Sequence, residues 1–124
     1  GINAHNSPSV AVDPERPAAV ALADRIDTPR FSCSVSVSTN SGDSWRPLTL
    51  PLPEDAPNCH QPDVAYGAGG ELLVLFTATG GRFNQPVGVW LQRFAGESPR
   101  GRRCGWRRPR PSTPAWPSRA PTCG

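Results

Sequence analysis

The chain has 124 residues, a length that usually corresponds to one domain. Its net charge of +3 is unevenly spread, because residues 1–96 hold six arginines and nine acidic residues whereas residues 97–124 hold seven arginines and one glutamate. Since the body is mildly acidic and only the tail is basic, the charge does not favour a nucleic-acid-binding protein. The sequence has no run of about 18 apolar residues, so it predicts no membrane-spanning helix.

Taken in chain order, the body has the pattern of a tandem repeat of strands. Three short segments recur in order at a nearly constant offset: 8–13 with 62–67, 18–23 with 71–76, and 34–38 with 88–92. Each is an apolar or alternating run bounded by Gly, Pro, Asn or Asp, which is typical of strands. The predicted strands lie at 9–12, 18–23, 32–38 and 45–50 in the first unit, and at 63–66, 71–77 and 87–92 in the second.

These units have the size and strand number of propeller blades. Four-stranded antiparallel units that repeat every 40–55 residues or so are typical of that fold. We therefore predict an all-β fold, a partial β-propeller of about two blades, with one blade over 1–55, a partial blade over 56–98 and an irregular tail over 99–124. One blade cannot bury both of its faces. The chain is accordingly expected to be a fragment whose remaining blades are its partners.

A hairpin motif lies between the third and fourth predicted strands, made of Ser38, Asn40, Gly42, Ser44 and Trp45. Gly42 tolerates a positive φ, and the amide oxygen of Asn40 can accept hydrogen bonds from backbone N–H groups inside the turn. Trp45 offers a large apolar surface that we expect to pack between sheets. The motif resembles the Asp box, or bacterial neuraminidase repeat, of the sialidase-like propellers, with Asn40 in place of the usual aspartate. The resemblance implies a structural motif that lies away from the catalytic face.

The copy of this motif that is expected one repeat later is degenerate. Residues 92–99 keep Gly96 and Ser98 but have no tryptophan. Only one well-formed box is therefore predicted in this chain.

The loops between strands divide between two faces, because successive strands alternate in direction. The face opposite the Asp box, called the loop face below, is predicted to comprise residues 24–31, 52–61 and 79–86 with His5 and Asn6. The resemblance implies that sialidases bind substrate there with an arginine cluster, a Tyr–Glu pair and an Asp acid/base. No complete set of this kind is present, so no catalytic residue is assigned. The ligand-binding candidates are Arg25, Asp27, Arg30, Arg82 and Asn84, and the alternative is that they are solvated loop residues that form local ion pairs.

The histidines and the single tyrosine are given other roles. His5 and His60 each precede the first predicted strand of a unit, and we expect them to anchor contacts between blades through hydrogen bonds. Tyr66 is predicted to lie at the end of its strand, towards the Asp-box face, and is not nominated as a nucleophile.

Cys33 and Cys59 are both predicted to lie near the loop face, where a disulfide between them is geometrically reasonable. The alternative is two separate thiols. A disulfide would indicate an oxidising, extracellular compartment. No metal site is predicted, because the sequence lacks ligand spacings such as C-x-x-C, and no cofactor is predicted.

The last segment, 100–124, has Pro, Arg and Trp in no periodic order, which is typical of an irregular or linker segment. One hypothesis is a reading-frame shift, because residues 111–123 read two bases out of frame with GC-rich codons can encode strands of a third blade. On that hypothesis Cys104, Trp106, Trp116 and Cys123 have no functional meaning. The alternative is a genuine basic tail that binds an acidic surface.

Taken together, the patterns predict a fragment of a secreted, sialidase-like Asp-box propeller protein. As this chain it is expected to be non-catalytic and to bind a glycan or a protein through its loop face. The alternatives are a truncated exo-α-sialidase or related glycoside hydrolase, and a structural scaffold. Nucleic acid is not among the expected partners, and no membrane span is expected.

Overall fold

The computed structural model describes residues 4–109 and 120–123, and within them the regular structure is strand apart from one 3-10 turn. The strands form two antiparallel sheets, so the predicted all-β fold with two blade-like units is confirmed. The first sheet has the order β1-β2-β3-β4 and the second β5-β6-β7-β8-β9. The strands are β1 His5–Val12, β2 Val20–Ile26, β3 Ser32–Ser38, β4 Arg46–Leu48, β5 Asn58–Tyr66, β6 Leu72–Gly80, β7 Gln85–Ala95, β8 Ser98–Arg107 and β9 Thr122–Cys123, and the 3-10 turn is Ala68–Gly70.

The core forms between the two sheets, where one face of the first sheet packs on one face of the second. The first sheet contributes small residues, among them Ala21, Ala23 and Val35, which are at most 1% exposed. The second contributes large residues, chiefly Phe76 and Phe94, together with Leu72, Val74 and Trp90. Alternate residues of a strand lie on opposite sides of a sheet, which is why these sets recur every second position. Large side chains of one sheet therefore fill the space that small side chains of the other leave.

Trp90 needs a glycine beside it. A Cβ added to Gly105 on the neighbouring strand would lie 2.4 Å from Cδ1 of Trp90, a separation that side chains do not tolerate. Gly88 has the same relation to the far edge of the indole, at 2.7 Å. The two glycines thus let the large ring lie flat within the second sheet's buried face.

The repeat seen in the sequence is confirmed in the first strand of each sheet. In β1 the register shifts between Asn6 and Ser9, and in β5 it shifts between His60 and Asp63, which are their counterparts one repeat later. The residues inside the two bulges, Ser7 and Gln61, both have a positive φ, 52° and 50° respectively. The two strands therefore share the same irregularity at the same repeat position.

The other strands repeat at different offsets, which corrects the nearly constant offset expected from the sequence. Val12 pairs with Val20 and Tyr66 with Leu72, so the second strand comes sooner after the first in the second sheet. Val20 pairs with Ser38 and Leu72 with Phe94, so the third strand comes later after the second. The cause is length: the first turn of the second sheet is shorter, and its β6–β7 hairpin is longer.

The predicted irregular tail begins with a strand, which corrects the boundary at residue 98. β8, Ser98–Arg107, pairs with β7 and completes the four-stranded unit of the second sheet. Most of its side chains are exposed, so an arginine-rich composition is compatible with a strand here. The frameshift hypothesis concerns residues 111–123. Of these, 111–119, which include Trp116, lie outside the described part of the chain.

Candidate functional site

The motif between β3 and β4 is a turn closed by side-chain hydrogen bonds. The hydroxyl of Ser38, which is buried, accepts from the backbone N–H of Gly42 at 2.8 Å and donates to Oδ1 of Asn40 at 2.9 Å. The same Asn40 oxygen accepts the backbone N–H of Ser44 at 2.9 Å. Gly42 has φ 90°, a conformation that favours glycine. The chemistry expected of Asn40 and Gly42 is therefore present.

Trp45 does not pack between the sheets, which corrects the expectation for it. Its indole N–H donates to the carbonyl of Gly42 at 3.0 Å, and its ring covers that glycine. The side chain remains 40% exposed. β4 is only three residues long, so the tryptophan lies on the turn rather than inside a strand.

On the opposite, loop face, Arg25 at the end of β2 is held by Asp27. Its Nε donates to one carboxylate oxygen of Asp27 at 2.6 Å, and its Nη2 lies 3.5 Å from the other. Asn6 donates to that second oxygen at 2.5 Å. The Arg25 hydrogen bond is the main cause that lowers the pKa of Asp27 below its ordinary value, although desolvation opposes the shift. Asp27 is therefore ionised at neutral pH and balances the charge of Arg25.

The remaining donor of Arg25 reaches the second sheet. Its Nη1 lies 2.8 Å from Nε2 of His60 on β5. Because guanidinium can only donate, Nε2 accepts, and the neutral imidazole carries its proton on Nδ1. Burial, followed by the charge of Arg25, lowers the pKa of His60 below its ordinary value, in agreement with that assignment. Phe31 packs on both residues, with its ring 5.2 Å from the imidazole and 5.3 Å from the guanidinium carbon.

The two histidines differ in what they join. His60 links the sheets through Arg25, as expected for a contact between blades. His5 does not, because its Nδ1 donates at 2.8 Å to Asp24, which lies on β2 of the same sheet. The expectation is therefore corrected for His5: its strand pairs with β2, and the nearest carboxylate belongs to that strand.

The Cys33–Cys59 disulfide is confirmed and also joins the sheets, with Cα atoms 5.4 Å apart. Beside it, the N–H of Cys59 donates to the carbonyl of Phe31 at 3.2 Å. A second disulfide, Cys104–Cys123, ties β8 to β9. The sequence reasoning missed it, although an even number of cysteines was a signal for complete pairing. Two disulfides fit an extracellular protein.

The other ligand candidates lie apart from the Arg25–Asp27–His60 cluster. Arg30 is exposed in the β2–β3 loop. Arg82 lies over the ring of Phe83 at 5.8 Å, in the β6–β7 loop. Asn84 accepts a hydrogen bond from Asn58 at 2.6 Å. Phe83, which the sequence reasoning did not nominate, is 76% exposed and is the most exposed large apolar side chain described.

A small cavity of about 130 Å³ lies between the sheets, beside the turn between β3 and β4. Its lining includes Tyr66, Asp13, Arg16, Ser38 and Thr39. The position predicted for Tyr66, towards the turn between β3 and β4, is therefore confirmed. Burial, followed by the charge of Asp13, raises the pKa of Tyr66 above its ordinary value, so its phenol is neutral at neutral pH.

Neither a family model, nor a curated protein, nor a solved structure matches this chain. Among residues 4–109 and 120–123, no group of three or more His, Cys, Asp and Glu side chains is placed to hold a metal ion. In the same part of the chain, no helix has the length and apolar character needed to cross a membrane.

Proposed function

We propose that this chain is a non-catalytic, secreted binding module of the sialidase-like propeller type, which binds an acidic glycan through its loop face. Two blade-like sheets and an Asp-box-like turn between β3 and β4 support the resemblance on which the proposal rests. The two disulfides support secretion.

The state of Arg25 is the observation that carries the non-catalytic part of the proposal. A carboxylate clamp needs a guanidinium whose forked donors are free to meet the ligand. Three of the nitrogens of Arg25 are instead directed at Asp27 and His60, and its side chain is only 18% exposed. Its charge is balanced by Asp27 and its role is to join the two sheets.

The binding part of the proposal rests on the β6–β7 loop. An exposed phenylalanine offers a flat apolar surface to the C–H face of a sugar ring, and the neighbouring Arg82 offers forked donors to an acidic group. Arg30 is exposed in the corresponding loop of the first sheet. An acidic glycan fits this combination of an aromatic surface and exposed cations better than a neutral one.

The test measures the binding of 3′-sialyllactose and of lactose to the oxidised chain by ligand-detected NMR. The proposal expects binding of the sialylated sugar alone, lost in both Arg82→Ala and Phe83→Ala. Arg46→Ala is the matched control, because that exposed arginine lies on the Asp-box side of the sheet and should leave binding unchanged. Equal binding of the two sugars, or no binding to either, contradicts the proposal.

The enzyme alternative has its own assay. Turnover of a fluorogenic sialoside that is abolished by Arg25→Ala would contradict the non-catalytic proposal. If the ligand is a protein rather than a glycan, it would bind through the same loop, and adding sialyllactose as a competitor would not reduce its binding.

A further inference from the structure

We infer that copies of this chain associate head to tail, with the outer face of the second sheet of one copy packed on the outer face of the first sheet of the next. The inference does not depend on the proposed glycan binding. It follows from the two apolar faces that the chain leaves uncovered and from the relation of those faces to the interface that is already formed.

The outer side of the first sheet is an apolar surface, here called the Val10 face. Val10 pairs with Leu22 and Val12 with Val20, so the four side chains lie on one side of β1 and β2. Val10 is 62% and Val12 52% exposed, which is unusual for adjacent apolar residues in the first strand of a sheet.

The outer side of the second sheet carries the Leu75 face. Leu75 pairs with Leu91, and Val89 pairs with Trp106, on alternate positions of β6, β7 and β8. Leu75 is 40% exposed and the other three are partly exposed. A contiguous apolar surface of this kind marks an interaction site more often than a solvated face.

The two exposed faces are repeat equivalents of the two faces that form the core. In the first sheet Val10 on β1 pairs with Leu22 on β2, and in the second sheet Val64 on β5 pairs with Val74 on β6. Val10 and Val64 therefore occupy equivalent positions. In the same way Ser9 pairs with Ala23 and Asp63 pairs with Leu75, so Leu75 corresponds to Ala23. Val64 is 7% and Ala23 0% exposed, because each is covered by the other sheet.

The interface between the two sheets therefore indicates what covers each outer face: the equivalent face of another copy of this chain. Within the chain, the Ala23 side of the first sheet covers the Val64 side of the second. Repeating that step places the Leu75 face of one copy on the Val10 face of the next. Side-chain size is complementary as well. The Leu75 face carries two leucines, a valine and a tryptophan, and the Val10 face carries three valines and a leucine beside the serines of β3. Such an interface is heterologous, and it either closes into a ring or continues as a filament.

The first experiment measures mass by sedimentation equilibrium of the oxidised chain over a concentration series. The proposal expects particles of two or more copies, in multiples of 13.2 kDa. Val10→Asp and Leu75→Asp should each raise the dissociation constant at least about 100-fold, because each would bury an unpaired carboxylate. Phe83→Asp is the control, since it removes a more exposed apolar side chain that belongs to neither face and should leave the mass unchanged.

The second experiment mixes the two weakened variants in equal amounts. A Val10→Asp chain keeps its Leu75 face and a Leu75→Asp chain keeps its Val10 face, so the mixture should form a 1:1 heterodimer although neither variant associates alone. Heterodimer formation also demonstrates that both variants fold. A monomeric parent chain overturns the proposal and leaves the faces to other partners. Dissociation by Val10→Asp alone, with Leu75→Asp still dimeric, overturns it in favour of a symmetric contact.

Discussion

Ser9 and Asp63 occupy the same repeat position in the two sheets, and the hydroxyl of Ser9 donates a hydrogen bond to the carboxylate of Asp63 at 2.5 Å. The same hydroxyl accepts the backbone N–H of Val64 at 3.2 Å. Both residues directly follow the bulge in their strand. The N–H of Val64 is thus bound by two side chains, Ser9 across the interface between the sheets and Asp63 beside it at 3.0 Å.

We predict that Ser9→Ala lowers the free energy of unfolding by about 0.5–1.5 kcal/mol, because the bond to Asp63 is lost and Val64 keeps only its bond to that carboxylate. Urea unfolding followed by tryptophan fluorescence measures it. Ser36→Ala, in a strand position that faces away from β5, is the matched control and should change the free energy by less than about 0.5 kcal/mol. Equal effects of the two substitutions would refute a specific role for Ser9.

The Cys33–Cys59 disulfide should be the covalent link that makes the two sheets unfold together. Replacing both cysteines by serine is expected to cost about 2–5 kcal/mol, because the unfolded chain regains the freedom of the closed loop and the loop face loses its clamp. The paired control, Cys104→Ser with Cys123→Ser, affects only the two-residue β9 and should leave a single cooperative transition. A single transition of unchanged midpoint in the Cys33/Cys59 variant would contradict the prediction.

Stability should fall as the pH drops below the ordinary pKa of histidine. The pKa of His60 in the folded chain is lower than its ordinary value of 6.5, chiefly because of burial. Below 6.5 the unfolded chain therefore binds more protons than the folded chain, and the free energy of unfolding decreases until the pH passes the lowered pKa. Protonation also removes the lone pair that accepts from Arg25.

The check is urea unfolding of the parent chain and of His60→Gln at about pH 7.5 and about pH 5.5. Glutamine keeps an acceptor for Arg25 but does not titrate, so the variant should lose less stability between the two pH values. His5→Gln leaves the Arg25–His60 contact in place, so it is the matched control and should retain the part of the decrease that His60 causes. An unchanged decrease in His60→Gln would show that another group is responsible.

The Ser38–Trp45 turn gives a prediction about Asn40. Asn40→Ala removes the oxygen that accepts from Ser38 and from the N–H of Ser44, and should cost about 1–2 kcal/mol. Asn40→Asp keeps that acceptor and strengthens it with charge. The Ser44 hydroxyl, which accepts from the Asn40 amide at 2.8 Å, can rotate to donate to the carboxylate, so the effect should be neutral or stabilising, within about 0.5 kcal/mol. Thermal unfolding of the three chains measures the difference. If aspartate were as damaging as alanine, the acceptor would not explain the turn.

The strand pattern was available from the sequence because it depends on local chemistry, whereas the Cys33–Cys59 pair was inferred from the predicted topology, which places both cysteines near the loop face. The alternation of Val35 and Val37 with serines predicts a strand with one buried face, and the structure has that strand. The hairpin chemistry of Asn40 and Gly42 is carried by residues at most four positions apart. β8 was missed because an outer strand needs few apolar residues, and its arginines resemble those of a linker.

What the sequence by itself determined is therefore the period of the first strands, the antiparallel sheets, the Ser38–Trp45 turn and the Cys33–Cys59 bond. Only the tertiary structure decided which partners the polar side chains have. From the sequence alone, Arg25 was a ligand-binding candidate. In the structure β5 approaches β2, so His60 and Asp27 both contact its guanidinium. Pairing across two sheets depends on how they pack, and no local pattern of residues encodes that distance. The same packing covers Val64 and leaves its repeat equivalent, Val10, in solvent.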